Sequence, residues 1–248
     1  MIKISSQETP GGTDPQFRYL DVVLSLFITI LITSNIASSA KIIDLGFSIL
    51  GIDFAFDGGT LLFPLAYVIG DLITEVYGFT VARRAIWTGF LALSISAAFF
   101  FILGILPGDE IWENYAGTAA YDSILGGMSN FGIVLASLFG YLIGNFFNSA
   151  IHSRIKVLMK GRLLWVRSIG SSVIGEFLDS LVFVAIACLT EVFPRQLFFP
   201  LVFTNYLFKL SFEVLVTPIT YFSVWKFKKA EGLDVYDYAV KYTPFIFR

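Results

Sequence analysis

Six apolar stretches dominate this chain, at residues 19–43, 61–79, 83–106, 128–151, 166–189 and 198–226. Crossing about 30 Å of hydrocarbon takes roughly 20 helical residues, and each stretch is of about that length. Lipid offers the backbone no hydrogen-bond partners, so a crossing segment is a helix or part of a closed barrel. Long continuous apolar runs belong to the first kind. The charge content agrees: 15% of the 248 residues are charged and 56% are hydrophobic, whereas soluble domains carry about 25% charged residues. A soluble globular domain is excluded. The expectation is an all-α integral membrane protein with six transmembrane helices, a multi-pass chain in contact with the lipid bilayer.

Basic residues set the orientation, because Lys and Arg gather on the cytoplasmic side. With the N-terminus inside, six spans bring the C-terminus inside as well. Fourteen of the 17 basic residues then lie in inner segments, among them Arg83, Arg84, Arg154, Lys156, Arg167, Lys228 and Lys229. Asp109, Glu110, Glu113 and Asp122 fall in outer loops. The topology is N-in and C-in. Residues 1–17 are polar and lack the apolar core of a cleaved signal, so they read as a disordered cytoplasmic tail; 18–229 form the transmembrane domain and 230–248 a cytoplasmic C-terminal tail. Residues 47–59 (FSILGIDFAFDGG) alternate and turn like strand, which predicts a small outer-face β-hairpin between the first two helices, a plain loop being the alternative.

Charges inside the spans carry the functional argument. Asp71, Glu75, Glu176, Asp179, Lys209 and Glu213 each fall well within an apolar stretch, where insertion costs about 2.5–3.5 kcal/mol per residue near a helix centre. Such residues face a bundle interior or water-filled cavity and mark solute paths. Spacings of three and four place each pair on one helix face. The stripes continue with Tyr67 on the second helix, Ser168 and Ser172 on the fifth, and Asn205 and Thr217 on the sixth. Asn35 on the first helix and Tyr141, Asn145 and Asn148 on the fourth add further polar faces. Polar faces on several helices are reconciled with lipid only by turning inward to a shared interior. Structural ion pairs holding the bundle together are the bland alternative. Five acids against one lysine argue for a path, since protonation or a cationic solute must balance the excess. The Asp71–Glu75 pair is a candidate proton carrier on this reading.

Two segments echo each other: Val68-Ile69-Gly70-Asp71 and Val173-Ile174-Gly175-Glu176. A second echo pairs Asn35, Ser38, Ser39 and Ala40 with Asn145, Asn148, Ser149 and Ala150. Helices one to three and four to six would run in opposite senses, so the echoes suit a 3+3 inverted repeat with its site near the midplane; chance matches in an apolar alphabet are the alternative. The one cysteine, Cys188, and one histidine, His152, leave no metal site and no Ser-His-Asp arrangement. Cys188 reads as an apolar filler, His152 as a solvated loop residue beside Arg154, and Arg83-Arg84 as a topology signal with a gating salt bridge to Glu75 conceivable. A pI near 5.4 gives no basic field for nucleic acid, and no cofactor is expected.

At these residues the chain resembles the bacterial queuosine-precursor transporters, a vitamin-uptake-transporter-like family of six-helix inner-membrane proteins. The likeness spans roughly 19–248 and rests on Ser34-Asn35, FPLAYVIGDLITEVYGFTVARR (63–84), GEFLDSLVF (175–183), NYLFKLSFEVLVTP (205–218) and the tail EGLDVYDY. The resemblance implies import across the cell inner membrane of 7-cyano-7-deazaguanine, 7-aminomethyl-7-deazaguanine or queuine for queuosine modification of tRNA. A guanine-like edge offers adjacent N–H donors to a carboxylate, and charge-assisted bonds are strong. The expected substrate-binding residues are Asn35, Tyr67, Asp71, Glu75, Asn145, Glu176, Asp179, Asn205, Lys209 and Glu213, with Phe63, Tyr67, Phe177 or Tyr206 as stacking walls. Two other readings compete. A substrate-binding subunit of an energy-coupled vitamin importer would need separate ATPases, since no Walker motif is present. An intramembrane enzyme would need a compact acid–base or metal cluster, and the acids are spread over three helices. A homo-oligomer is compatible with either transporter reading.

Overall fold

A computed structural model describes residues 17–49 and 52–245, so the expected disordered tail at 1–17 lies, but for Phe17, outside the described residues. The order is α1 (Leu20–Ala40), β1 (Ile42–Ile49), β2 (Ile52–Asp57), α2 (Phe63–Tyr77), α3 (Phe79–Ile105), α4 (Glu110–Tyr115), α5 (Gly117–Ser129), α6 (Phe131–Leu158), α7 (Leu164–Leu189) and α8 (Phe198–Glu231). Among the described residues, five helical segments are long and apolar enough to cross a membrane: α1, α3, α5–α6 together, α7 and α8. This is a multi-pass membrane protein.

The second expected span is shorter than the sequence suggests. Its 15 residues rise about 1.5 Å each, which falls short of the hydrocarbon thickness. Pro64 opens it, where a missing N–H costs nothing. Gly78 closes it at φ +85, and a side chain there would both strain the backbone and meet Val235 at 2.8 Å. The chain passes through Gly78 directly into α3, so these two helices share a corner.

Strands β1 and β2 pair antiparallel, with Ile42 opposite Asp57 and Ile49 opposite Ile52. The pairing starts at Ile42, five residues before the stretch 47–59 from which strand was expected. Gly58 N–H then bonds Lys41 O at 2.7 Å, and Ser34 Oγ donates to Gly59 O at 2.9 Å, pinning the strands' return to the end of α1. Residues 107–127, expected as outer loop, carry two further helices. Asp109 caps α4 by accepting from Ile111 and Trp112 N–H. Asn130 caps α6 by accepting from Ile133 N–H at 3.1 Å, and α6 continues through Arg154 and Lys156, so that basic segment is helix and not loop.

The polarity is that of a protein dissolved in lipid. Leu91, Ile95, Phe99, Phe203, Leu215 and Phe222 are exposed, while Asp71, Glu75, His152, Arg167, Glu176 and Ser172 are buried. An apolar core from α1, α2, α3 and α6 includes Phe27, Leu31, Ile73, Val76 and Ile86. Helices α6 and α7 pack closest, where small residues let backbones approach. A Cβ on Gly175 would sit 2.7 Å from Asn148 Cβ and 2.9 Å from Gly144 O. That contact aligns Asn148 with Ser172 and Glu176 across the seam.

Candidate functional site

A cavity of about 540 Å³ occupies one end of the bundle, within the roughly 300–1,000 Å³ typical of small-molecule sites. Its walls come from the C-terminal part of α1 (Asn35, Ser38), the start of α2 (Phe63, Tyr67), the second half of α3, the start of α6, the second half of α7 (Glu176, Asp179) and the start of α8 (Asn205, Lys209). Since α1, α3 and α7 contribute C-terminal halves and α2, α6 and α8 N-terminal ones, all walls belong to the same end.

Six of the ten residues expected from sequence line this cavity: Asn35, Tyr67, Glu176, Asp179, Asn205 and Lys209. Lys209 is ion-paired with Asp179, and its ammonium lies 5.0 Å from the centre of the Phe63 ring. Phe63 and Tyr67 rings stand 5.7 Å apart, giving an aromatic wall beside the charges. Tyr67 Oη is buried without a hydrogen-bond partner, as is Glu176 Oε2. Of the stacking candidates, Phe177 and Tyr206 pack edge to face on each other; Phe177 is exposed on the bundle's outside, and neither lines the cavity. Helical spacing placed them correctly on their helices but on the flank of the polar stripe.

The other four expected residues lie beneath the cavity or deeper. Glu213 Oε1 accepts from Ser172 Oγ at 2.6 Å. Asp71 accepts from Asn148 Nδ2 at 3.0 Å and from Ser168 Oγ. Asn145 donates to Tyr141 O at 3.0 Å and borders a separate small pocket with Phe27 and Gly70. Glu75 is farthest away, at the opposite end.

There the structure corrects the sequence reading on three counts. Glu75 does not pair with Arg83 or repel Asp71 as an isolated acid. Arg167 holds it with two bonds, Nε to Oε2 at 2.8 Å and Nη2 to Oε1 at 2.7 Å. Lys228 Nζ reaches Oε1 at 2.5 Å, and Lys156 Nζ stands 3.6 Å away. His152 is fully buried instead of solvated, with Nε2 2.9 Å from Glu75 and Nδ1 3.5 Å from Asp71. A carboxylate only accepts, so Nε2 carries the hydrogen toward Glu75. Arg83 donates instead to Lys241 O and Thr243 O. A carboxylate ringed by cations has its charge already balanced, so Asp71 and Glu75 are not the pair of unpaired like charges that the sequence suggested.

The C-terminal strap seals this end. Asp234 bridges Lys156 and Lys228, both at 2.7 Å. Asp237 accepts from Phe79 N–H at 2.9 Å, at the buried start of α3, and from Ser153 Oγ. Trp87 Nε1 donates to Pro244 O at 2.7 Å. Arg167, Lys156, Lys228 and His152 are the site residues that sequence reasoning missed, because it counted the three cations as inner-segment topology signals and read His152 as a solvated loop residue. Helical continuation of the Asn145–Asn148 face to His152 and Lys156 was the available clue.

Comparison with known proteins adds an independent line. Residues 57–223 match the sequence family described as "Putative vitamin uptake transporter". A Haemophilus influenzae protein named "Probable queuosine precursor transporter" is 28% identical over 217 residues, covering 84% of this chain and 87% of that one. A Bacillus subtilis protein of the same name is 26% identical over 164 residues, 66% of this chain and 69% of its own. The "Queuosine precursor transporter" of Escherichia coli is 26% identical over 195 residues, 77% of this chain and 80% of that one. No solved structure matches.

Proposed function

The chain belongs to that vitamin-uptake-transporter family, and from this premise we propose that it imports queuosine precursors, the 7-deazaguanine bases 7-cyano-7-deazaguanine, 7-aminomethyl-7-deazaguanine and queuine. It does so as a transporter and not as an enzyme. The observation that carries the reading is the cavity itself, with an acidic floor at Glu176, an aromatic wall at Phe63 and Tyr67, and a sealed opposite end. The names of the three relatives support the substrate class.

The chemistry of a deazaguanine suits those walls. Its ring N–H and exocyclic amine are adjacent donors, which Glu176 can accept as a pair with its unpartnered oxygen. Its carbonyl accepts from Lys209 or Asn205, and Tyr67 Oη offers a further donor. The flat ring stacks on Phe63 or Tyr67, where aromatic pairs add about 0.5–1.5 kcal/mol beyond burial. Asp71 and Glu213 act from below by fixing Ser168 and Ser172.

Six crossings with both termini in the cytoplasm follow if α2 spans the inner membrane together with its flanking turns. The basic strap end then faces the cytoplasm and the cavity faces outward, so the arrangement is an outward-facing state with its inner gate shut. Alternating access would open the Glu75 cluster as the cavity closes. Uptake of the three radiolabelled bases by cells lacking their own importer, with and without this protein, tests the reading. Accumulation of at least one base only in expressing cells is expected. No difference for all three would overturn it.

A further inference from the structure

The two carboxylates between the cavity and the buried polar layer are left without a cation of their own. Glu176 and Glu213 are 1% and 3% exposed, and Ser172, one helical turn before Glu176 on α7, donates to Glu213 Oε1 at 2.6 Å, which brings the two carboxyl-bearing side chains together across α7 and α8. Each keeps one oxygen, Oε2, with no hydrogen-bond partner. Two carboxylates only accept, so as a doubly charged pair they can form no bond between them.

Nothing packed around them makes good that charge. From α2 they face Asp71, another anion, and the neutral Tyr67 hydroxyl. Within α7 they face Ser168, Ser172 and Asp179. From α8 come Tyr206 and Lys209, whose ammonium is ion-paired with Asp179. From α6 come Asn148 and His152, the latter set between Asp71 and Glu75. Each nearby cation therefore has an acid of its own already. Like charges a few ångströms apart in a buried site do not both ionise, as in carboxylate dyads that share one proton.

We propose that Glu176 and Glu213 form a proton-binding site in which one proton is held between the two carboxyl groups at the floor of the cavity. The proton comes from cavity water. Its arrival makes one O–H bond and one O–H···O bond to the partner carboxylate, and the pair changes from two negative charges to one. Loss of the proton to water reverses both changes. A solute bearing a protonated amine brings the same single positive charge, so the proton leaves when such a solute settles on the pair. That last consequence rests on the import reading above; the proton site itself does not.

Infrared difference spectroscopy on the purified full-length protein tests the site without any solute. At neutral pH the protein should show the C=O stretch of a protonated carboxyl in a dry environment, absent after deprotonation at alkaline pH. Glu176→Gln and Glu213→Gln each imitate the protonated shape, and loss of the band in either supports the site. A wild-type spectrum without the band, or a band that persists in both variants, overturns it. Addition of 7-aminomethyl-7-deazaguanine in weak buffer should then release about one proton per protein molecule. If the base does not bind while the band is present, this base is struck from the solutes of the import reading and the proton site stands. If the base binds without releasing a proton, the competition between proton and solute is wrong.

Discussion

At the cavity end Glu176 leaves one oxygen unsatisfied against about 540 Å³ of open space, whereas at the sealed end Glu75 gathers Arg167, Lys228, Lys156 and His152. Both are buried acids on apolar helices, and sequence alone treats them alike. Their surroundings give them opposite physics. A buried acid that is fully paired contributes rigidity and is costly to break; one left short of partners is a site waiting for a ligand or proton. The same bundle thus holds a lock at one end and a receptor at the other.

The sharpest way to break this contrast is at the lock. Arg167→Met removes the two-pronged partner of Glu75 while keeping much of the apolar stem. Breaking a buried pair costs about 3–5 kcal/mol, and the remaining Lys228 and Lys156 contacts hold the loss to about 3 kcal/mol. Thermal unfolding in detergent should register it as a large drop in midpoint. Arg167→Lys keeps the charge but not the planar fork and should fall between. A midpoint unchanged in Arg167→Met would mean that the Glu75 cluster is not a structural lock.

At the receptor the expected signature is reversed. Glu176→Gln keeps shape and volume but replaces an acceptor-only group by one with mixed donors. Loss of a charge-assisted bond worth roughly 1.5–3 kcal/mol lowers uptake of every deazaguanine by at least about tenfold, with little change in thermal midpoint. Stability and transport should therefore separate between Arg167 and Glu176. Full uptake in Glu176→Gln would remove it from the recognition site.

The seam joining the two ends offers a third comparison. Gly175 on α7 sits against Asn148 Cβ and Gly144 O on α6, between the cavity and the ion cluster. Gly175→Ala must push backbone atoms apart, and overpacking costs about 1–3 kcal/mol. Both uptake and thermal midpoint should fall together, since the displaced Asn148 serves Asp71 on one side and Ser172 on the other. A variant that loses only one of the two properties would show that the ends are mechanically independent.

Much of this was legible in the chain before any coordinates. Hydrophobic runs marked the helices because lipid demands long apolar segments, and four-residue spacing put Asp71, Glu176, Lys209 and Glu213 on buried faces. What the pattern could not carry was partner choice. Arg167, Lys228 and His152 sit near helix ends, where basic residues are expected for topological reasons alone, so their inward turn leaves no mark in composition. The α2 boundary at Gly78 was hidden for a similar reason: apolar residues continue on both sides, and only the backbone's positive φ ends the helix. The acid excess seemed larger than it is because these end-of-helix cations went uncounted.

The smallest expected effect concerns the strap over the lock. Asp234 bridges Lys156 and Lys228, yet its side chain is 39% exposed. Exposed ion pairs typically contribute only about 0–1 kcal/mol. The strap also holds by other means. Val235 N–H reaches Val76 O at 3.4 Å, Asp237 accepts from Phe79 N–H, and Arg83 and Trp87 donate to carbonyls between Lys241 and Pro244. Lys156 keeps bonds to Glu75 O and Val235 O when Asp234 is neutralised. Asp234→Asn should therefore lower the thermal midpoint by no more than a degree or two, on the order of 1 kcal/mol or less. Protease cleavage between 232 and 245 should quicken only slightly. If this variant instead destabilises the protein as much as Arg167→Met, the lock is built chiefly from the strap and not from the helix-to-helix pairing of Glu75 with Arg167.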